Sequence, residues 1–211
     1  PSRQRNQAMV QVKICGITRA ADAAAAVSLG ATAIGFVFWP QSGRYVTPAV
    51  AASIARLVPD VVTVGVFVDS SVEEVHEVAD EVGLTSVQLH GDEPDDMYTQ
   101  LSYNVIRAIG VEGEKTIAKV DRVPQDVMVL LDVHDRVQRG GTGQTVDWDV
   151  AATIAAKRQI FLAGGLRPGN IAAAIRSVRP YGIDVSSGVE ASPGIKEVGK
   201  LASLFSEVKQ L

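Results

Sequence analysis

The feature that most constrains this chain is an alternation repeated along nearly its whole length. From Val10 onward, short apolar runs rich in β-branched residues give way to turn residues and then to Ala-rich amphipathic stretches. Eight runs read as strands: Val10–Cys15, Ala33–Phe38, Val61–Val68, Ser86–Leu89, Asn104–Ile109, Val127–Asp132, Gln159–Ala163 and Gly182–Val185. Several are apolar throughout, which is the pattern of strands buried on both faces in a parallel sheet. Eight strand–helix units at a spacing of roughly 25 residues predict a single (β/α)8 barrel of parallel strands, a TIM barrel of the α/β class, slightly below the typical length of ~250 residues. A doubly wound sheet is the competing arrangement. Its Gly-rich dinucleotide fingerprint has no counterpart in Cys15-Gly16-Ile17-Thr18, which offers one glycine.

Helix starts support the same reading. Thr18 is placed to cap a helix ending near Leu29, with Gly30 just beyond it. Thr47-Pro48 supplies a cap and a proline at the first helical position. Ser71 and Glu74 have capping-box spacing. Glu93-Pro94 opens a short helix, Asp147 caps another, and Pro168 begins a third. A last helix from about Ile195 would place Val198, Leu201, Phe205 and Val208 on one stripe. The stretch from Glu112 to Val120 lacks a clear cap.

Composition narrows the function. The 211 residues carry 20 Lys and Arg against 24 Asp and Glu, a net charge of −4, and one cysteine. The mild acidity argues against a general nucleic-acid binder, which would need a basic face. One cysteine excludes an intramolecular disulfide framework and a multi-cysteine zinc site, and suits a reducing cytoplasm. No metal ligand set with the right spacing is evident, and no segment reads as a membrane span or signal peptide. Residues 1–9 read as a disordered tail, with Met9 a candidate start, and 10–211 as one catalytic barrel domain.

Barrels of this kind carry their chemistry at the carboxyl ends of the strands. Those positions hold Cys15, Arg44, Asp69, His90, Asp132, Gly164-Gly165 and Asp184 through Gly188. Gly164, Gly165, Ser186, Ser187 and Gly188 leave strands seven and eight, where backbone N–H groups, hydroxyls and a short helix start would hold a phosphate. The alternative for such glycines is a tight turn. Gly140-Gly141-Thr142-Gly143 is a third cluster, read as a second anion nest with Gly141 a supporting contact, as a mobile lid, or as a flexible loop with no ligand contact.

Cys15 is either a small buried hydrophobe or a base. Lys13 lies two residues earlier, so it shares a face with Cys15 and would favour the thiolate. Lys13 itself would need a carboxylate, for which Asp184 is the candidate. Asp132 is either a cap or, partly desolvated, a proton donor. His90 would contact substrate or close a turn, and Asp69 would cap the helix near Ser71. His76 and His134 have no supporting neighbours, and Trp39 and Trp148 read as packing residues.

Taken in order, these segments resemble the phosphoribosylanthranilate isomerase family of tryptophan biosynthesis. The resemblance rests on Lys13-Ile14-Cys15-Gly16-Ile17-Thr18, Gly35-Phe36-Val37-Phe38, Ser42-Gly43-Arg44-Tyr45-Val46 and Val64-Gly65-Val66-Phe67-Val68. It continues through Val87-Gln88-Leu89-His90-Gly91, Leu131-Asp132, Gly140-Gly141-Thr142-Gly143 and Asp147-Trp148. Leu162-Ala163-Gly164-Gly165-Leu166, Pro168, Asn170 and Asp184-Val185-Ser186-Ser187-Gly188-Val189-Glu190 complete it. Gly43 departs from the bulkier residue or proline that often precedes the family's arginine.

The resemblance implies an Amadori rearrangement of N-(5′-phosphoribosyl)anthranilate to 1-(2-carboxyphenylamino)-1-deoxyribulose 5-phosphate. It implies Asp132 as general acid, Cys15 as general base, Arg44 on the anthranilate carboxylate and Asp184 near the sugar, with no cofactor and no metal. The expected partner is a small sugar phosphate, with no nucleic acid and no membrane, in a cytoplasmic monomer or homodimer. Two other readings stand beside it. One is the analogous isomerase of histidine biosynthesis or a dual-specificity enzyme, although an aspartate is expected there at the position of Cys15. The other is a non-catalytic phosphate-binding barrel, which would not require Cys15 and Asp132 together.

Overall fold

A computed structural model describes residues 10–133 and 146–211. The tail of residues 1–9, His134 and the cluster from Gly140 to Gly143, Gly141 included, lie outside the described residues. Eight parallel strands close into a barrel in chain order: β1 (Gln11–Cys15), β2 (Ala33–Val37), β3 (Val62–Phe67), β4 (Ser86–Leu89), β5 (Asn104–Val111), β6 (Met128–Val133), β7 (Ile160–Leu162) and β8 (Gly182–Val185). The ring closes where β8 pairs with β1, with Lys13 opposite Asp184.

The continuous apolar runs are explained by two cores. Inside the barrel, Ala33, Val64, Ile106, Leu130, Phe161 and Ala163 pack together. A larger core, including Ile14, Ile34, Phe67, Leu89, Leu131 and Ile183, lies between the strands and the helices. Side chains two apart share a face. The register therefore carries Lys13 and Cys15 of β1, Gln88 of β4, Asp132 of β6 and Asp184 of β8 to the inner face.

The helices are α1 (Ala20–Leu29), α2 (Pro48–Ala55), α3 (Val72–Val82), α4 (Lys115–Val120), α5 (Trp148–Ala155), α6 (Ile171–Val178) and α7 (Val198–Val208). Between β4 and β5 the connection is a 3₁₀ turn, Asp95–Thr99, following Pro94. Thr47, Ser71 and Asp147 cap α2, α3 and α5 through their side chains, as their spacing predicts.

Four expectations about loops and ends are corrected. Thr18 does not cap α1: its hydroxyl donates to Gly194 O, and Arg19 occupies the N-cap. Pro168 precedes α6 by a turn, because Asn170 holds the N-cap position. Its amide instead braces the loop, donating to Gly165 O at 2.9 Å and accepting from Arg167 N at 2.9 Å. The final helix begins at Val198, not Ile195. Pro193-Gly194 turns a short hairpin of β9 (Glu190–Ser192) and β10 (Ile195–Lys196), and Val198 is exposed while Leu201, Leu204 and Phe205 are buried. Ser71, not Asp69, holds the N-cap of α3; the Asp69 carboxylate accepts from Asp92 N at 2.6 Å and ties the loop after β3 to the loop after β4.

Candidate active site

The carboxyl ends of the strands gather most of the expected residues at one mouth. Cys15 ends β1 and is 8% exposed, packed with Val37, Val66 and Trp39. Gly35 lies opposite it in register, and a Cβ there would come within 2.9 Å of the thiol and 3.2 Å of Lys13 Cε. The glycine is what makes room for the thiol. Gly35→Ala is expected to lower turnover at least tenfold and to destabilise the fold by about 1–3 kcal/mol through overpacking. Steady-state kinetics and urea titration check this; unchanged turnover would show that the thiol need not be held there.

Lys13 is wholly buried. Its ammonium donates to Asp184 Oδ1 at 2.9 Å and to Gln88 Oε1 at 3.0 Å, so Asp184 is the expected carboxylate partner. Burial works against the charge, but Asp184 and Cys15 outweigh it and hold the Lys13 pKa above the ordinary lysine value. Lys13 favours the thiolate, as expected, but burial opposes it. Burial pushes the Cys15 pKa up, and the Lys13 ammonium lowers it without reversing the rise, so the resting group is a thiol.

Asp132 sits on β6, three strands from β1 around the ring through β7 and β8. It is 7% exposed, and its pKa is pushed up to about 6, chiefly by burial. Oδ1 accepts from Val133 N at 2.7 Å and Oδ2 lies 3.6 Å from His90 Nε2. A raised carboxyl pKa is what the proton-donor reading requires. A cavity of about 560 Å³ opens beside it, lined among the described residues by His90, Arg107, Ile109 and Asp132. That volume lies within the range of small-molecule sites.

Arg44 is not a free guanidinium. Its Nε and Nη2 edge grips Glu190, with Nη2 to Oε2 at 2.7 Å and Nε to Oε1 at 2.9 Å. Glu190 also accepts from Lys196 Nζ at 2.9 Å. Lys196 in turn reaches Cys15 O at 2.5 Å and Ser186 O at 3.3 Å. This buried lysine joins the end of β1, the loop after β8 and the hairpin. Burial lowers its pKa, while Arg44 and Lys196 overcome burial to lower that of Glu190.

Gly164 and Gly165 leave β7 with φ of 80° and 63°, a region where glycine avoids strain. Ser186 follows β8, and its Oγ is buried without a hydrogen-bond partner among the described residues. Ser187 begins a 3₁₀ turn to Val189. Gly188 also meets a packing need: a side chain there would collide with Leu166 O from the loop after β7. Its absence lets the loops after β7 and β8 press together.

Three participants lack any role in the sequence reading. Gln88 had a usable signal, since Ser86, Gln88 and His90 alternate as polar positions on an apolar strand. For Glu190 and Lys196 only the Pro193-Gly194 turn signal was present, pointing to a hairpin but not to its contacts. Trp39 and Trp148 both pack against buried apolar clusters, as expected.

Fold and site together define a TIM-barrel enzyme, with a buried carboxyl of raised pKa and a thiol facing one mouth and glycine loops beside them. The family model described as N-(5′-phosphoribosyl)anthranilate (PRA) isomerase matches residues 12–207, and the chain belongs to that family. Similar curated proteins named N-(5′-phosphoribosyl)anthranilate isomerase include one from Pelobacter propionicus, 46% identical over 96% of this chain and 97% of its own. Another, from Hahella chejuensis, is 45% identical over 94% of each. The crystal structure of phosphoribosyl anthranilate isomerase from Thermotoga maritima superposes with a TM-score of 0.89 at 40% identity, covering 96% of this chain and 100% of that one. A further structure of the enzyme, in complex with reduced 1-(o-carboxyphenylamino)-1-deoxyribulose 5-phosphate, gives 0.86 at 39% identity, covering 96% and 100%. These relatives carry neither the histidine-pathway name nor that of a non-catalytic binder. No described helix is long and apolar enough to cross a membrane.

Proposed function

We propose that this chain isomerises N-(5′-phosphoribosyl)anthranilate to 1-(2-carboxyphenylamino)-1-deoxyribulose 5-phosphate, as a cytoplasmic step of tryptophan biosynthesis. The observation that carries the assignment of roles is the pairing of Asp132, with a pKa of about 6, and the thiol of Cys15 on one face of the barrel. Asp132 protonates the furanose ring oxygen, and the ring opens to an iminium ion. Cys15, as the thiolate of the form in which Asp132 carries the pair's single proton, removes the proton from C2′, giving an enolamine that tautomerises to the ketone. Each proton moves between the substrate and a side chain, so the residues present supply what the two steps need.

The phosphate would sit on Gly164, Gly165, Ser186, Ser187 and Gly188. The unpartnered Ser186 hydroxyl supports this placement. Arg44 would take the anthranilate carboxylate with the edge of its fork turned away from Glu190. His90 and Asp184 would border the sugar, with Lys13 between the two halves of the site. Arg44→Ala is expected to raise KM at least tenfold with kcat changed less than threefold; an unchanged KM would remove the arginine from carboxylate binding.

The direct test follows the fluorescence of freshly prepared phosphoribosylanthranilate. Decay that depends on enzyme, with the deoxyribulose phosphate as product, is expected. Tight binding without decay would leave a phosphate-binding barrel instead. The histidine-pathway substrate run alongside should be unreactive; turnover of both would show a dual-specificity enzyme.

A further inference from the structure

Among the buried polar side chains that the two steps above leave unused, Gln88 stands between the two halves of the site. Gln88 is 1% exposed, lies on the inner face of β4, and touches groups from both halves of the site. Its Oε1 accepts from Lys13 Nζ at 3.0 Å, and its Nε2 lies 2.9 Å from His90 Nδ1. Lysine has donors only, so the carbonyl end of the amide must face it and the NH2 end must face the ring. An amide nitrogen also only donates, so Nδ1 must accept. The neutral imidazole then carries its proton on Nε2, the atom 3.6 Å from Asp132 Oδ2. That separation exceeds a hydrogen bond, but a small shift would close it.

We propose that Gln88 is a positioning residue: anchored by Lys13, it fixes His90 as the Nε2–H tautomer, so that a donor faces Asp132. The consequence is directional. When Asp132 gives its proton to the ring oxygen it becomes a buried carboxylate, and an N–H aimed at it stabilises that charge. The opposite tautomer would aim a lone pair at Asp132 and hold the proton on the acid. Lys13 thereby serves both halves of the site, through Cys15 directly and through Gln88 and His90 toward Asp132. This inference rests on Asp132 being the general acid.

Two measurements test it. The first is ¹⁵N-histidine NMR of the full chain at pH 8, with His90→Ala used to assign the ring. The expected result is a neutral Nε2–H tautomer for His90 in the wild type. Gln88→Glu keeps an oxygen for Lys13 but has no proton for Nδ1, so it should move the ring to Nδ1–H or to the imidazolium. An Nδ1–H ring in the wild type, or a ring indifferent to Gln88→Glu, would overturn the proposal.

The second measurement is kinetic. Gln88→Glu should lower kcat at least tenfold with KM within threefold, and should cost under threefold when added to His90→Ala. An equal cost in both backgrounds would show that Gln88 does not act through the ring. If Gln88→Glu fails to fold, the wild-type tautomer decides. Asp132→Asn separates the two readings: full activity there removes the acid itself, whereas an inactive Asp132→Asn beside a fully active Gln88→Glu removes only the positioning role.

Discussion

Asp132→Asn is expected to lower kcat by at least ~10²-fold with KM changed less than threefold, since a positioned acid typically contributes about 10²–10⁴-fold. Asparagine preserves the shape and can still accept from Val133 N, but its amide N–H can only hydrogen-bond and cannot transfer a proton to the ring oxygen. The loss should come without unfolding. Burial raises the Asp132 pKa to about 6, so the native state holds that proton more tightly than the unfolded chain does. The native state therefore loses stability as pH rises from the unfolded value through 6. A neutral amide avoids this loss, so the melting temperature of the variant at pH 8 should be no lower than that of the wild type. Calorimetry beside steady-state kinetics separates lost chemistry from lost structure. Turnover near wild type would remove Asp132 from the mechanism.

Cys15→Ser should also cost at least ~10²-fold in kcat. The substitution is nearly isosteric, so Gly35, Val37 and Val66 retain their packing. What changes is acidity. Burial already lifts the thiol above its ordinary pKa, and a hydroxyl, intrinsically far less acidic, has still less access to its anion there. The neighbouring Lys13 and Lys196 favour the anion but do not overcome burial for sulfur, and would do no better for oxygen. KM within threefold is expected, because the thiol removes a proton and does not anchor the phosphate or the carboxylate. A fully active serine variant would identify Cys15 as a packing residue.

The barrel is legible in the sequence because its signal is local. Strands buried on both sides are apolar throughout, and turn residues punctuate them at a near-constant interval. The Lys13–Asp184 pair is legible for a related reason: a lysine on an inner face needs a carboxylate, and β8 closes beside β1. What was not legible depends on loops meeting in three dimensions. The grip of Glu190 on Arg44 joins residues far apart in the chain, and no spacing encodes it. Lys196 reads as the start of a helix, yet folds into a hairpin strand that reaches back to Cys15. The net rise of the thiol pKa is not legible because Lys13, which lowers it, is visible in the sequence, whereas the burial that outweighs Lys13 exists only in the closed barrel.

Acid and base together set the pH dependence. Between a pKa of about 6 for Asp132 and a higher one for Cys15, the free pair holds one proton, and the productive arrangement places it on Asp132. Below about 6 a second proton is bound and the thiolate is lost; above the Cys15 pKa the acid's proton is gone. The measurement that tests this account most directly is kcat/KM for phosphoribosylanthranilate across pH, in the wild type and in Asp132→Asn. The account predicts a wild-type profile that rises through about 6 and falls only above the ordinary thiol range, with the lower limb missing from the residual activity of Asp132→Asn. A lower limb that persists unchanged in Asp132→Asn would contradict it.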